Sequence, residues 1–430
     1  MAGTVDRSRT GDDGTRSDPA IGLWARLPGE AEREWVRDYA LLALRIDRRL
    51  TADGGTVLIY RGPAAWSARV AAEEPPPAGR LVADADALVE SVPWPDPARR
   101  RYLRAQLTAL RAAADWLAGA RPPLPEYAST CLGVTVDWLP EELFAEQHDR
   151  LATALPAGRG SLGERLRAWD AAHLLPADQT GRRAELLSSA IAETRRRTGA
   201  LVDLPADERV SVELVSGVGY RAAGHHAGGV DSALYVNADL PFQLADLCYV
   251  VAHEGHPGHI AESVLKEREL LHGRQRLDHW VRFMPGPSFV LSEGLGLHAE
   301  ELVFPGDEAQ RWLTDHVLRP AGIAGDGSDF AAIHRARNVF FGAWGNAALL
   351  AAEGRPEPEL IAYLTRWALL SDDEARLALS SIGSTGMAFY VLGYFHGWRL
   401  LDTWLAGDRR AARVRRLLTE QLLPADLVAD

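Results

Sequence analysis

Three histidines and a glutamate lie within seven positions of the stretch VVAHEGHPGHIAES, residues 250–263. Imidazoles and carboxylates that converge on one point are ligands for zinc and iron. The stretch begins like the metal-binding pattern H-E-x-x-H, but Pro257 occupies the position of the second histidine. The question is therefore which histidine shares a metal with His253.

The direction of side chains around a helix separates the two choices. On an undistorted α-helix, residues three apart differ by about 60° in direction, whereas residues six apart differ by about 240°. His253 and His256 could therefore share a metal only on an unbroken helix. Pro257 removes a helix hydrogen bond and Gly258 permits unusual backbone angles, so we expect a bulge that turns His259 toward His253. His256 is then left without an assigned role.

A third ligand is expected from the segment FVLSEGLGLHAEEL, residues 289–302, which offers Glu293, His298 and Glu300. Glu293 follows an apolar run, where a carboxylate is costly unless it is paired or bound to a metal. Glu300 fits the solvated end of a helix. We therefore predict Glu293 as the third ligand.

Apolar residues at helical spacing dominate the elements that must position these side chains. We predict helices over residues 30–50, 95–120, 139–155, 163–175, 289–304, 309–319, 328–353, 357–370, 372–380 and 384–405. Strand character appears mainly at 209–237, with the Gly- and His-rich piece GYRAAGHHAGG as a loop between two strands. A further helix is expected to start after Pro241 and run into the histidine motif.

The composition narrows the classes of function. The net charge of −12 and the lack of a basic patch make nucleic acid and anionic membrane surfaces poor partners. Two cysteines, Cys131 and Cys248, do not make a disulfide framework. Neither a secretory signal nor a run of eighteen apolar residues occurs, so we expect a cytoplasmic protein without a membrane span.

The chain is predicted to divide into three parts. Residues 1–20 are polar and are expected to form a disordered tail. Residues 21–200 form an N-terminal helical region, and residues 201–430 form a metal-site region with a small sheet and C-terminal helices. We expect the two regions to pack together as one bilobed unit.

Three segments resemble the bacterial family known as domain of unknown function 885. HEGHPGHIAES resembles its H-E-x-x-P-G-H-H pattern, SEGLGLHAEEL resembles its E-G-W-A-L-Y-x-E segment, and STGMAFYVLGYFHG, residues 384–397, resembles its late G-Q-A-x-x-Y-x-x-G segment. The resemblance covers roughly 200–400. That family is similar to helical zinc metallopeptidases of the thimet oligopeptidase and thermostable carboxypeptidase kind. The resemblance implies a mainly α, zincin-like metallohydrolase with a small β-sheet next to the metal-site helix.

The resemblance also implies roles for individual residues. His253, His259 and Glu293 would hold a zinc ion, and Glu254 would be the general base. Tyr390 matches the family's tyrosine near the C-terminus and would stabilise an oxyanion.

Three positions depart from the family pattern. Ile260, Leu295 and Met387 stand where the family usually has histidine, tryptophan and glutamine. The proposed ligands survive these changes, whereas the substrate pocket is put in doubt.

Four further residues are candidates for contact with a substrate. His225 and His226 lie in the Gly-rich segment before the motif, and Tyr394 and His396 follow Tyr390. The alternative for the first pair is a solvated loop, and for the second pair a place in the core or at the rim of the site.

Three hypotheses for the function follow. The first is a zinc-dependent hydrolase that cleaves an amide or peptide bond of a small peptide or an amide-containing metabolite. The second is a non-haem iron oxygenase, because two histidines and one carboxylate also form the iron-binding facial triad. The third is a homologue that has lost catalysis and binds a ligand.

Overall fold

The computed structural model describes residues 18–52, 56–383 and 390–429, and the side chains of Tyr390 and Ala429 lie outside that description. The protein is mainly α, as predicted. Its helices are α1 (Pro19–Ala25), α2 (Glu30–Leu50), α3 (Ala64–Ala72), α4 (Ala78–Glu90), α5 (Pro97–Leu117), α6 (Leu124–Leu132), α7 (Glu142–Ala154), α8 (Leu162–Ala172), α9 (Arg183–Thr198), α10 (Leu247–Glu254), α11 (His259–Lys266), α12 (Pro287–Val303), α13 (Glu308–Leu313), α14 (Phe330–Ala352), α15 (Glu357–Trp367), α16 (Asp372–Ile382), α17 (Tyr390–Trp404), α18 (Arg410–Thr419) and α19 (Pro424–Ala429). Its strands are β1 (Leu58–Tyr60), β2 (Arg209–Val215), β3 (Ala222–Gly228), β4 (Asp231–Asn237) and β5 (Val281–Phe283).

Helix α2 shows why the apolar spacing was informative. It has the predicted bounds, and Trp35, Tyr39, Leu42 and Ile46, at steps of three and four, are all buried. Acidic residues in its first turn and arginines in its last turn also complement the helix dipole. The expected disordered tail falls almost wholly on residues 1–17, outside the described ranges, as does the start of the helix predicted from residue 384.

A three-stranded sheet lies beside the histidine motif, in the order β2-β4-β3. Strand β2 runs parallel to β4, and β3 runs antiparallel to it. The prediction of a loop over GYRAAGHHAGG was wrong, since Ala222–Gly228 forms β3. The alternation typical of a strand is hidden there because most of its residues are alanine or glycine. Gly228 and Gly229 have positive φ and form the tight turn into β4.

The helix expected after Pro241 begins only at Leu247, so this boundary was wrong. Residues 242–244, which precede α10, form backbone hydrogen bonds with the segment after α8 instead. The N–H of Leu175 donates to the carbonyl of Phe242, and the N–H of Leu244 donates to the carbonyl of His173, both at 2.9 Å. Because the backbone groups are satisfied in this way, residues 242–244 do not join the helix.

A second, two-stranded sheet joins distant parts of the chain. Strand β1 pairs antiparallel with β5, and Ile59 lies opposite Arg282. The apolar cluster around α2–α6 also contains Trp280, Phe283 and Val290 from the C-terminal half. Both halves of the chain therefore contribute to one core. Within the described ranges, no helix has the length and apolar character needed to cross a membrane.

Helix α12 is the central support of the site, and nearly all its residues are buried. It packs closely on α17 through glycines. A Cβ at Gly397 would lie 2.1 Å from the carbonyl oxygen of Val290, and a Cβ at Gly294 would lie 2.5 Å from the carbonyl oxygen of Gly397. The two backbones can therefore touch only because these positions lack side chains.

Candidate metal centre

The helix carrying the histidine motif is interrupted. α10 ends at Glu254 and α11 begins at His259, with the sequence GHPG between them. Two hydrogen bonds of 3.0 Å cross the interruption: the N–H of Gly258 donates to the carbonyl of Ala252, and that of Ala261 donates to the carbonyl of Gly255. The chain therefore continues with extra residues inserted between the two helices, as expected from Pro257.

His253, His259 and Glu293 converge across this interruption. Nε2 of His253 lies 3.4 Å from Oε2 of Glu293, and Nε2 of His259 lies 3.6 Å from Oε1. The two imidazole rings are nearly perpendicular, with centroids 4.8 Å apart. One ligand atom from each residue can be chosen so that all three lie within 4.8 Å of one another. The structure thus brings together the three residues chosen as ligands.

The charges of this triad depend on one another. Burial disfavours the charged form of His259, but the carboxylate of Glu293 raises the pKa of His259 to about 9, with contributions from Glu254 and Glu262. Burial likewise opposes ionisation of Glu293, but the imidazoles of His259 and His253 hold the pKa of that carboxyl well below its usual value. A buried carboxylate between two imidazoles is an electrostatic environment that a cation can satisfy.

Gly296 makes room for the His253 ring. A Cβ at Gly296 would lie between 2.6 and 2.8 Å from three atoms of that imidazole. Helix α12 therefore supplies both the carboxylate of Glu293 and, one turn later, the space for a histidine from α10. This role was not predicted from the sequence, although two glycines inside the apolar segment EGLGL were a visible signal.

Strand β3 holds Glu254 in place. The N–H of Gly224 donates to Oε2 of Glu254 at 2.9 Å. A Cβ at Gly224 would lie only 2.0 Å from the carbonyl oxygen of Glu254, so the strand can approach the end of α10 only with glycine there.

His256 has a structural contact that the sequence could not reveal. Its Nε2 lies 2.9 Å from Oε1 of Glu208, and Arg195 donates to the other oxygen of that carboxylate at 2.9 Å. The side chains of His256 and Glu208 are fully buried. His256 thereby ties the interruption to the segment before β2, and it is not part of the ligand group.

A polar cluster missed by the sequence analysis lies behind His259. Nδ1 of His259 lies 3.2 Å from Oγ of Ser292, which donates to Oε2 of Glu262. Glu262 also accepts from Arg282 at 2.9 Å and from Lys266 at 2.7 Å. Burial opposes ionisation of Glu262, but Arg282 and Lys266 hold the pKa of its carboxyl well below the usual value.

The other two candidates on α12 have partners elsewhere. His298 bonds through Nε2 to the carbonyl of Trp398 at 2.9 Å. Glu300 is mostly buried, contrary to the solvated position expected for it, and it bonds to Nδ1 of His334 at 2.8 Å. His334 in turn lies 3.2 Å from Asp246, the residue before α10.

His225 and His226 lie on β3, and adjacent residues of a strand point to opposite faces. His226 is 1% exposed, with its two ring nitrogens bonded to Ser232 and Glu267. Substrate contact by His226 is therefore not compatible with this arrangement. His225 is half-buried and lies near Tyr235, with ring centroids 6.3 Å apart. Its substrate role stays a prediction.

Two of the candidates on α17, Tyr394 and His396, have described side chains. Tyr394 stacks on Phe341, with centroids 4.8 Å apart. His396 lines a separate small cleft with Asp137 and Asn346, where burial lowers its pKa to about 4. No ligand of the triad lines that cleft. The side chain of Tyr390 and the residue Met387 lie outside the described part of the chain, so the oxyanion role stays a prediction.

Comparison with known proteins gives a likeness of fold. No protein-family model and no curated protein matches the chain. It resembles the solved structure of the putative lipoprotein from Colwellia psychrerythraea, with a TM-score of 0.50 and 15% identity, over 81% of this chain and 65% of that one. It also resembles a putative lipoprotein of unknown function from Shewanella oneidensis, with a TM-score of 0.48 and 12% identity, over 82% and 72% of the two chains. The chain thus spans less than two thirds of the Colwellia protein.

The Colwellia comparison corrects the expected location. Its description as a lipoprotein conflicts with the cytoplasmic location expected from the sequence. That expectation rested on cysteine usage and on the polar first residues.

Proposed function

We propose that this chain is a zinc-dependent hydrolase that cleaves an amide or peptide bond in a small peptide or an amide-containing metabolite. The convergence of His253, His259 and Glu293 at the interrupted helix carries the proposal. Their similarity to the motifs of the family known as domain of unknown function 885 supports it as a resemblance.

The donor set fits a divalent metal ion. Two imidazole nitrogens and one carboxylate oxygen are the protein ligands of many catalytic zinc sites, which keep one position open. His253, His259 and Glu293 would hold the ion. When bound, zinc supplies Lewis acidity, which polarises a carbonyl and makes water a stronger acid.

Glu254 is assigned as the proton carrier. Its Oε2 accepts the hydrogen bond from Gly224, which fixes the carboxylate next to the ligand His253. Oε1 then takes the proton from the water that attacks the substrate carbonyl carbon. As the C–N bond breaks, Glu254 passes that proton to the leaving nitrogen, giving a carboxylic acid and an amine.

The position of Glu254 also favours hydrolysis over the iron alternative. The same ligand set would suit a non-haem iron oxygenase, but that chemistry gives no evident task to a carboxylate held beside the ligands. The third hypothesis, a ligand-binding homologue without turnover, gives Glu254 no catalytic task. It predicts that replacing Glu254 has no effect on an enzymatic rate, because there is none.

The test is Glu254→Gln, assayed for metal content and for hydrolysis of a mixed dipeptide and N-acyl amino acid library. Glutamine keeps an oxygen for the Gly224 hydrogen bond, so zinc content should be unchanged while turnover falls by roughly 10²- to 10⁴-fold. Glu213→Gln, at an exposed position of β2, is the matched control and should retain activity.

Two results would overturn the proposal. One is undiminished turnover by Glu254→Gln. The other is iron, with substrate-dependent oxygen uptake, in wild-type protein purified without oxygen.

A further inference from the structure

The two histidines of the triad are held in different ways. The ring of His253 lies against Gly296, so the shape of α12 fixes its position. His259 is the first residue of α11, directly after the interruption, and its side chain is 17% exposed against 10% for His253. Its orientation therefore needs a restraint other than close packing, and its hydrogen bond to Ser292 can supply one.

The direction of each hydrogen bond of the Ser292 hydroxyl can be assigned from its partners. A serine hydroxyl donates one hydrogen bond and accepts up to two. Oγ of Ser292 lies 2.5 Å from Oε2 of Glu262, 3.1 Å from Nη2 of Arg282 and 3.2 Å from Nδ1 of His259. An arginine can only donate, and Glu262, bound to Arg282 and Lys266, is a carboxylate that can only accept.

One arrangement satisfies all three contacts. Ser292 donates its proton to Glu262 and accepts from Arg282. Its remaining lone pair accepts the N–H at Nδ1 of His259. When the His259 ring is neutral, as a metal ligand must be, its proton is thereby placed on Nδ1. The lone pair is then on Nε2, the atom that lies 3.6 Å from Glu293.

We infer that Ser292 and Glu262 are positioning residues that fix the tautomer and orientation of His259, so that its Nε2 is presented to a divalent cation. The inference rests on the proposed metal site. Hydrogen bonds to the second nitrogen of a metal-bound imidazole set its tautomer and raise its basicity. Arg282 and Lys266 hold Glu262 in the ionised, accepting form.

The experiment measures zinc affinity rather than activity. Wild-type protein, Ser292→Ala and Ser292→Thr are titrated with zinc against a chromophoric chelator. Loss of the hydroxyl should weaken zinc binding by roughly 10- to 100-fold. Threonine, which keeps a hydroxyl, should restore most of the affinity.

A spectroscopic measurement separates positioning from a general effect on folding. In the zinc-bound wild-type protein, ¹⁵N NMR should show a protected Nδ1–H on His259. In Ser292→Ala that proton should exchange faster with water, in a zinc-bound protein that circular dichroism shows to be folded.

The chain provides a matched control at Ser232. Its Oγ lies 3.1 Å from Nδ1 of His226, which is the same kind of contact outside the triad. Ser232→Ala should leave zinc affinity and the His259 signal unchanged.

The outcomes are distinguishable. If wild-type protein binds no zinc, the proposed function fails and this inference fails with it. If wild-type protein binds zinc and Ser292→Ala binds it equally well, with the same His259 signal, only the positioning role is overturned.

Discussion

The backbone of Gly258 lies directly against the carbonyl oxygen of His253. A Cβ at Gly258 would be 1.8 Å from that oxygen and 2.6 Å from the carbonyl oxygen of Ala252. No side chain larger than hydrogen fits in this space. The fold of the interruption, and with it the approach of His259 to His253, therefore depends on glycine at this position.

Gly258→Ala should therefore separate the two histidines. The added methyl group must push the interruption away from α10, and overpacking of this kind costs about 1–3 kcal/mol of stability. Because the ligands lie on opposite sides of the interruption, zinc affinity should fall at least tenfold, as measured by chelator competition. Gly181→Ala is the control, because a Cβ there would meet nothing within 4 Å in the described part of the chain. Equal zinc affinity in both variants would contradict this account.

Gly296→Ala should weaken zinc binding through helix α12, which lies against the His253 ring. The new methyl group would collide with the imidazole of His253, because three ring atoms lie within 2.8 Å of the Cβ position. We expect loss of stoichiometric zinc binding by elemental analysis, with a folded protein by circular dichroism. Gly393→Ala, on the neighbouring helix α17, where a Cβ would meet no atom of the described residues within 4 Å, should instead stabilise the protein by about 0.4–1 kcal/mol. Normal zinc content in Gly296→Ala would refute the steric role.

His256 and His259 should respond in opposite ways to replacement by alanine. His256→Ala removes a buried hydrogen bond to the carboxylate of Glu208, which costs about 1.5–3 kcal/mol of unfolding free energy, but it should leave one zinc per chain. His259→Ala should lose the zinc. Urea unfolding and metal analysis on the same samples give both readouts. Loss of zinc from a folded His256→Ala protein would return His256 to the ligand set.

A buried histidine outside the metal centre should make stability depend on pH. Burial disfavours the charged form of His334, but Glu300 and Asp246 raise its pKa from 6.5 to about 9. Because the pKa of His334 is higher in the folded protein than in the unfolded chain, protonated His334 adds to the free energy of unfolding. This contribution is on the order of 3 kcal/mol; it is full below about pH 6.5 and is lost as pH rises through about 9.

The measurement is the unfolding free energy of wild-type protein and His334→Gln between pH 5.5 and 9.5. The difference between them should be greatest at the acidic end and shrink as the wild-type imidazole loses its proton. A difference that stays constant across this range would show that His334 is not charged in the folded protein.

The sequence predicted structure best where a feature depends only on residues within one element. The apolar stripe of α2 and the Pro257 interruption both depend on neighbours within a few positions, so periodicity and backbone chemistry could predict them. Glu293 could be chosen as a candidate ligand for a similar reason, since a carboxylate inside an apolar run needs a partner.

What remained hidden depends on contacts between distant segments. Strand β3 lacked an alternating pattern because its small residues gain their order from pairing with β4. The partners of His256 and His259, which are Glu208 and Ser292, lie 48 and 33 positions away. Nothing local marks such pairs, so the sequence could predict the three candidate ligands but not the distant groups that contact these histidines.

The pairing of β1 with β5 has a consequence for how the protein is made. Arg282, which holds Glu262, lies on β5 opposite Ile59, a residue more than two hundred positions earlier in the chain. During synthesis, β1 must wait without its partner until β5 leaves the ribosome, and closing so long a loop slows folding. The groups behind His259 should thus be among the last parts of the protein to form, and zinc should be captured only after the two halves of the chain have met.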